Sequence, residues 1–441
     1  MTFQKNDKKI INAWCIYDWS NSVYSLVITS AIFPIYFQNI TSLKDTNGQV
    51  LKDTVSFFGI EIINSVLYSY SLSFSFLLIA LISPVLSSIA DYSGSKKMFM
   101  RMFCYLGAFS CSALFFFTED TLELSMILFI LASIGFSGSI VFYNAYLPEI
   151  ATEDKFDKIS AKGFALGYTG SVILLIFNLS MILFPEFYGL TSSALATRIS
   201  FLTVGLWWFG FAAYTFHYLP KDIYHKKPKG NYFLNGFREL RIVLRELRNQ
   251  KILKQFLLAF FFYNMGVQTV LYLATIFGDK ELGLSSELLI ATILVLQLVA
   301  VAGSYLFSFI SGKTGNIYAL MISIFFWIIV SVLAYFITTA VQFILVAGLV
   351  GLTMGGIQSL SRSTYAKIIP DDTTDHASYF SFYDVSEKIS IVIGTFLYGF
   401  INQLTGNMRV SSLVLSVFFI SGLIFLSRIP SKKIYSVNVK S

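Results

Sequence analysis

The run Tyr17-Asp18-Trp19-Ser20-Asn21-Ser22 places a carboxylate at the start of an uncharged stretch, Ser22 to Ile40, long enough to cross a bilayer. A carboxylate in hydrocarbon costs at least about 2.5 kcal/mol on insertion scales, and the usual compensation is a pathway for an ion or a polar solute. The same segment holds Asn21 and Tyr24, and other apolar segments hold Tyr143, Asn144, Asn264, Gln268, Gln358 and Arg362. Amides in lipid would leave donors and acceptors unpaired, so they must face a cavity or one another. Two readings stand side by side: a cage for a small polar solute, or hydrogen bonds that hold helices together. Asp18 and Arg362 offer the charges a zwitterion needs, carboxylate for ammonium and guanidinium for carboxylate. Arg362 lies near the end of its segment, where arginines snorkel. Asp18 lies about six residues, or ~9 Å, into its own. Asp18 is thus a proton or substrate site, a gate, or a partner of its neighbours' indole and backbone.

Asp384, Glu387 and Lys388 form a second cluster inside an apolar segment. Asp384 and Lys388 are four apart, hence on one helical face, and can neutralise each other. The chemistry is that of a proton relay or of a gating network. In the second case Asp91 joins it, because a negative charge is favoured at the positive N-terminus of the helix that carries the cluster.

The elements that position these residues follow from composition. Hydrophobic residues are 55% of the chain and charged ones 13%, against about 25% charged in soluble domains. With a mean hydropathy of +0.68 this is an all-α membrane protein, since barrel strands would alternate polar and apolar residues. The net charge of +7 reflects basic loops on one side of the membrane rather than nucleic-acid binding. Cys15, Cys104 and Cys111 form no CxxC pair, and His217, His225 and His376 are scattered, so no disulfide, metal or other cofactor is expected. Met1 to Asn12 has no cleavable signal pattern, which leaves the first span as an anchor.

Hydropathy gives twelve spans, at about 13–38, 65–90, 98–118, 124–148, 161–185, 198–220, 253–278, 287–311, 317–338, 341–362, 379–402 and 410–429. Of 32 Lys and Arg, 26 fall in the termini and the even-numbered loops or in the span ends that adjoin them, so both termini are expected in the cytoplasm. Residues 1–220 then form a first six-helix half, 221–254 a cytoplasmic linker, and 255–441 a second half. In the linker Phe233, Phe237, Leu240, Leu244 and Leu247 share a face, with Arg238, Arg241, Arg245 and Arg248 elsewhere. This spacing predicts an amphipathic helix on the membrane surface or against the bundle.

The halves echo one another. Asp91-Tyr92-Ser93-Gly94 after the second span matches Gly312-Lys313-Thr314-Gly315 after the eighth, and Pro148 matches Pro370, with separations that agree to one residue. A shared offset argues for parallel duplication, the build of major facilitator transporters. Gly312-Lys313-Thr314 ends like a P-loop, but Phe307 stands where the first glycine belongs. With no nucleophile elbow, zinc helix or dinucleotide turn either, an enzyme is not expected.

Tyr17-Asp18-Trp19-Ser20-Asn21-Ser22 with Thr29-Ser30-Ala31-Ile32-Phe33-Pro34 resembles the opening signature of the UMF1 family, the vacuole-effluxer-like branch of the major facilitator superfamily. Asn144-Ala145-Tyr146-Leu147-Pro148-Glu149, Ser160-Ala161-Lys162-Gly163 and Gly355-Gly356-Ile357-Gln358-Ser359-Leu360-Ser361-Arg362-Ser363 resemble it too, in order along nearly the whole chain. The resemblance implies twelve helices in two parallel halves, alternating access, and a cavity lined by the first, fourth, seventh and tenth spans. It places Asp18, Asn21, Tyr24, Tyr143, Asn144, Asn264, Gln268, Gln358 and Arg362 on those spans. Asp91, Gly94, Lys96 and Lys97 fit the superfamily's loop signature, whereas Ser87, Tyr92 and Ser95 depart from it. The expectation is a monomeric secondary transporter for a small polar solute, amino acids among the candidates, coupled to protons or running downhill. The short N-terminus favours a cell membrane over a vacuole. A non-transporting receptor or scaffold on the same fold, and a lipid exporter, are the alternatives.

Overall fold

The computed structural model describes residues 4–44, 50–221, 232–370 and 372–430. Twelve long helices span Lys8–Thr41, Asn64–Ser93, Lys96–Phe116, Glu119–Ile150, Glu153–Leu183, Ser193–Tyr218, Lys251–Leu282, Ser286–Thr314, Asn316–Phe336, Ala340–Ile368, His376–Thr405 and Met408–Ser427. Eleven are long and apolar enough to cross a membrane. The eleventh span, His376–Thr405, is long enough but carries Asp384, Glu387 and Lys388. The first helix starts at Lys8, not near 13, so Asp18 lies ten residues in, about 15 Å along the axis rather than ~9 Å. Asp7 moves that boundary: its Oδ1 accepts from the Lys9 amide at 2.7 Å and caps the helix.

Proline bends the first span. Pro34 cannot donate to the carbonyl four residues back, and its ring would strike that carbonyl. Tyr24–Ile32 accordingly adopts π-helical hydrogen bonding, which widens the turn ahead of the proline. The Tyr68 hydroxyl donates to the Thr29 carbonyl at 2.7 Å inside this widened stretch.

Within the first six spans, the first packs on the fifth and sixth, the third on the fourth and sixth, and the second on the fourth. In the last six, the seventh packs on the eleventh and twelfth, the ninth on the tenth and twelfth, and the eighth on the tenth. The eighth and tenth meet backbone to backbone, because a Cβ at Gly303, Gly351 or Gly355 would strike a carbonyl of the facing helix. The sets join through the second with the eleventh span and the fifth with the eighth and tenth. Advancing the second and fifth by six gives the eighth and eleventh, so the two main seams are related by the duplication.

A helix at Tyr232–Asn249 precedes the seventh span and packs on the second span, with Val243 fully buried. The expected face is rotated: Phe237 is 53% and Leu244 42% exposed, while Leu247 is half-buried against the core. Residues 222–231 of the basic loop and 431–441 of the tail, like Lys226 and Lys440 within them, lie outside the described residues. Opposite the termini, the first loop forms two short hairpins, Leu43–Lys44 with Val50–Lys52 and Thr54–Phe57 with Ile60–Ile63.

Candidate functional site

Hydrogen bonds and ion pairs that join the first six spans to the last six gather between the termini-bearing end of the bundle and its mid-plane. They form layers. In the outermost, Gly94 ends the second span in a left-handed turn (φ +66°) that lets Lys96 fold back beneath Asp91. Asp91 accepts from the backbone amides of Ala377 at 3.2 Å and Ser378 at 2.7 Å, and from the Ser378 hydroxyl at 2.8 Å. Its carboxylate therefore sits at the positive N-terminus of the eleventh span. Lys96 lies 3.7 Å from Asp91 and pairs with Glu149.

The second seam has a corresponding grip. Asp157 accepts from Ser311 Oγ at 2.9 Å, Lys367 Nζ at 2.8 Å and Asn316 Nδ2 at 2.8 Å. Asn316 also accepts from Lys367 at 2.9 Å. The separation from Asp157 to Ser378 equals that from Asp91 to Gly312, the neighbour of Ser311. The duplicated positions thus carry the same contact with acid and hydroxyl exchanged. Asp157, Asn316, Lys367 and Glu149 were not singled out from sequence, because each sits at a loop edge where a charge is ordinary. Only the repeat offset carries a signal for Asp157, and it needs the Asp91–Ser378 contact to be known first.

Deeper in, Asp18 meets Arg362. Both guanidinium Nη atoms donate to Asp18 Oδ2 at 3.1 Å, and the Tyr143 hydroxyl donates to the same oxygen at 2.7 Å. Arg362 Nε donates to Ser160 Oγ and Nη2 to the Ser160 carbonyl, both at 2.9 Å, while Nη1 reaches Asn144 Oδ1 at 3.5 Å. Rings of Phe164, Trp14 and Tyr143 surround the guanidinium at 4.2, 4.7 and 5.4 Å. Arg362 is 3% exposed, so it does not snorkel: the carboxylate and two serine oxygens hold it inside. Gly163 leaves this space, since a Cβ there would strike Asp18 Oδ2.

One layer further, the Tyr168 hydroxyl donates to Gln358 Oε1 at 2.6 Å and closes the floor between the fifth and tenth spans. Near the mid-plane, Asn264 Nδ2 donates to Ser390 Oγ at 2.6 Å, and Gln268 Nε2 reaches Glu387 Oε1 at 3.2 Å. Lys388 Nζ lies 3.3 Å from Asp384 and 3.7 Å from Glu387, with the Phe76 ring of the second span 5.4 Å away. Lys388 is twelve residues into a helix of 30, so this centre is near the middle of its span.

The expected residues therefore separate into groups. Asp18, Tyr143, Asn144 and Arg362 converge, as do Asn264, Gln268, Asp384, Glu387 and Lys388, while Gln358 stands between them. Asp91, Gly94 and Lys96 form the end latch. Tyr24 joins none of these: its ring packs on Phe136 at 5.0 Å and Trp208 at 5.9 Å, inside the first six spans. Asn21 is buried, and its Nδ2 has no hydrogen-bond partner among the described residues.

Comparison with known proteins gives this geometry a family. Residues 6–435 match the family model described as vacuole effluxer Atg22 like. The chain is 32% identical over 423 residues to an uncharacterized MFS-type transporter, YxiO, of Bacillus subtilis, covering 96% of this chain and 95% of that one. It is 24% identical over 485 residues to autophagy-related protein 22 of Saccharomyces cerevisiae, covering 92% and 89%. Among solved structures, the human organic anion transporter MFSD10 superposes with a TM-score of 0.73 at 12% identity, covering 96% of this chain and 100% of that one. FucP, a major facilitator superfamily transporter in the outward conformation, gives 0.70 at 13%, covering 96% and 98%. A matching model over nearly the whole chain, on twelve helices in two duplicated sets, makes this multi-pass membrane protein a member of the vacuole effluxer Atg22-like family, transporters of the major facilitator superfamily.

Proposed function

We propose that the chain moves a small polar solute, with amino acids the favoured class, by alternating access coupled to protons. In this reading the termini-bearing end is cytoplasmic, in the cell membrane, and residues 1–220 and 255–441 rock as halves around the 221–254 linker. A single chain in lipid suffices, since both charge centres are built within it. The observation that carries the reading is the division of the buried charges. The Asp18–Arg362 pair is satisfied by its own surroundings and ties the halves together, which suits a gate. The mid-span group is amphoteric: Lys388 offers a cation to a carboxylate, and Asp384 with Glu387 offers anions to an ammonium or a proton. Gln268 and Asn264 add amide donors at the same depth. In this reading the outer layers at Asp91 and Asp157 hold the cytoplasmic end shut.

Reconstituted protein in proteoliposomes, assayed over amino acids, sugars and peptides with and without a pH gradient, tests the proposal. The expected result is gradient-dependent amino-acid flux that Lys388→Gln abolishes while the protein stays folded. Flux of no solute, or flux indifferent to both the gradient and Lys388→Gln, would overturn it.

A further inference from the structure

The helix Tyr232–Asn249 does more than connect the halves. It is tied to both sides of one seam: Asn235 Nδ2 donates to the Tyr92 hydroxyl at the end of the second span, at 2.9 Å. Glu246 accepts from the Tyr379 hydroxyl at the start of the eleventh, at 2.8 Å. These anchors set the helix level with the ends of the spans, where a bilayer's headgroups lie. Gln250 alone, in extended conformation, separates it from the seventh span.

Its surface is divided. Val243 is buried against the bundle and Leu247 half-buried. Beside that face Phe237 and Leu244 are exposed, and beyond them comes a stripe of exposed arginines at 238, 241, 245 and 248. The spacing of three, four and three residues keeps the four guanidiniums on one side. Among the described residues none of the four makes an ion pair, and the acids of this helix do not face the stripe. Glu246 is held by Tyr379, and Glu239 is half-buried, four residues from Val243 and so on the same side of the helix as that buried residue. A surface with an apolar edge bordered by unpaired cations, at headgroup depth, fits an anionic lipid surface.

We infer that this arginine stripe binds anionic phospholipid headgroups of the adjacent leaflet, and that such lipids steady the closed seam through the Tyr92 and Tyr379 anchors. The inference stands apart from any transported solute. Its test is the thermal unfolding midpoint of the full chain in two kinds of vesicle. One is phosphatidylcholine alone, the other equal parts phosphatidylcholine and phosphatidylglycerol. The expected result is a rise of several degrees with phosphatidylglycerol that shrinks as salt is raised. The variant with Arg238, Arg241, Arg245 and Arg248 all changed to Gln should lose most of the rise yet match the parent in phosphatidylcholine. The corresponding all-Lys variant should keep it. Native mass spectrometry should count fewer retained phosphatidylglycerol molecules on the Gln variant, which covers the case where its unfolding cannot be compared. An undiminished rise in the Gln variant, no rise in the parent, or the same rise from soluble glycerol phosphate over phosphatidylcholine vesicles would each overturn the inference.

Discussion

Replacing Asp18 with Asn leaves the Arg362 guanidinium buried at 3% exposure without its counter-ion. Removing one partner of a buried pair costs about 3–5 kcal/mol. Two serine oxygens and three aromatic rings remain around Arg362, which places the effect at the lower end, about 3 kcal/mol. The penalty applies only while the seam is shut, because an opened seam returns the guanidinium to water. At about 1.4 kcal/mol per tenfold, the open population should rise on the order of 100-fold. Ser88 reports it. It is fully buried in the second span, its hydroxyl 3.1 Å from that of Ser378 in the eleventh. In a chain with Cys15, Cys104 and Cys111 replaced by alanine, a cysteine at Ser88 should react with a water-soluble maleimide only through the open state. Asp18→Asn should raise the labelling rate by the factor above, until the open state dominates. Asp18→Asn with Arg362→Gln should bring it back toward the parent, since no charge is then stranded. An unchanged rate in the single variant, or equal rates in single and double variants, would refute the assignment of the pair as a gate.

Asp91→Asn keeps an acceptor but loses the charge at the N-terminus of the eleventh span, so the same labelling rate should rise about tenfold, from roughly 1–2 kcal/mol of helix-terminus and charged hydrogen-bond energy. Asp157→Asn should act on the other seam with similar size, and the two effects should add, because the grips lie on separate helix pairs. Gly355→Ala should lower thermal stability by about 1–3 kcal/mol, since its Cβ would strike the Ala300 carbonyl, whereas Gly348→Ala should be tolerated, with nothing within 4 Å. Lys388→Gln leaves Asp384 and Glu387 without their cation and should destabilise more than Lys388→Gln with Asp384→Asn, as read by unfolding midpoints.

Much of the fold was legible in the chain. Twelve hydrophobic runs near the length of a bilayer fix the number of spans, because lipid admits no unpaired backbone. Pairing of the halves was legible in the repeat, and the family in motifs spread along the chain. Helix ends were less so: the Asp7 cap carries the first helix back to Lys8, and a hydropathy window does not register a cap.

Partnership was the part hidden from the sequence. Asp18 and Arg362 are 344 residues apart, and no local pattern says that two guanidinium nitrogens converge on one carboxylate oxygen. Tyr24 and Tyr143 look equivalent as aromatic polar residues on inner spans. Yet rotation of each helix turns the first into its own half and the second onto Asp18. Asp157 and Lys367 read as ordinary loop-edge charges until packing of the fifth span on the eighth and tenth brings them to 2.8 Å. Composition and periodicity determined that this chain spans a membrane twelve times and buries charge, because those properties are summed along the chain. Which charges meet, and whether they gate or bind, was decided by helix rotation and contact between halves, which exist only in three dimensions.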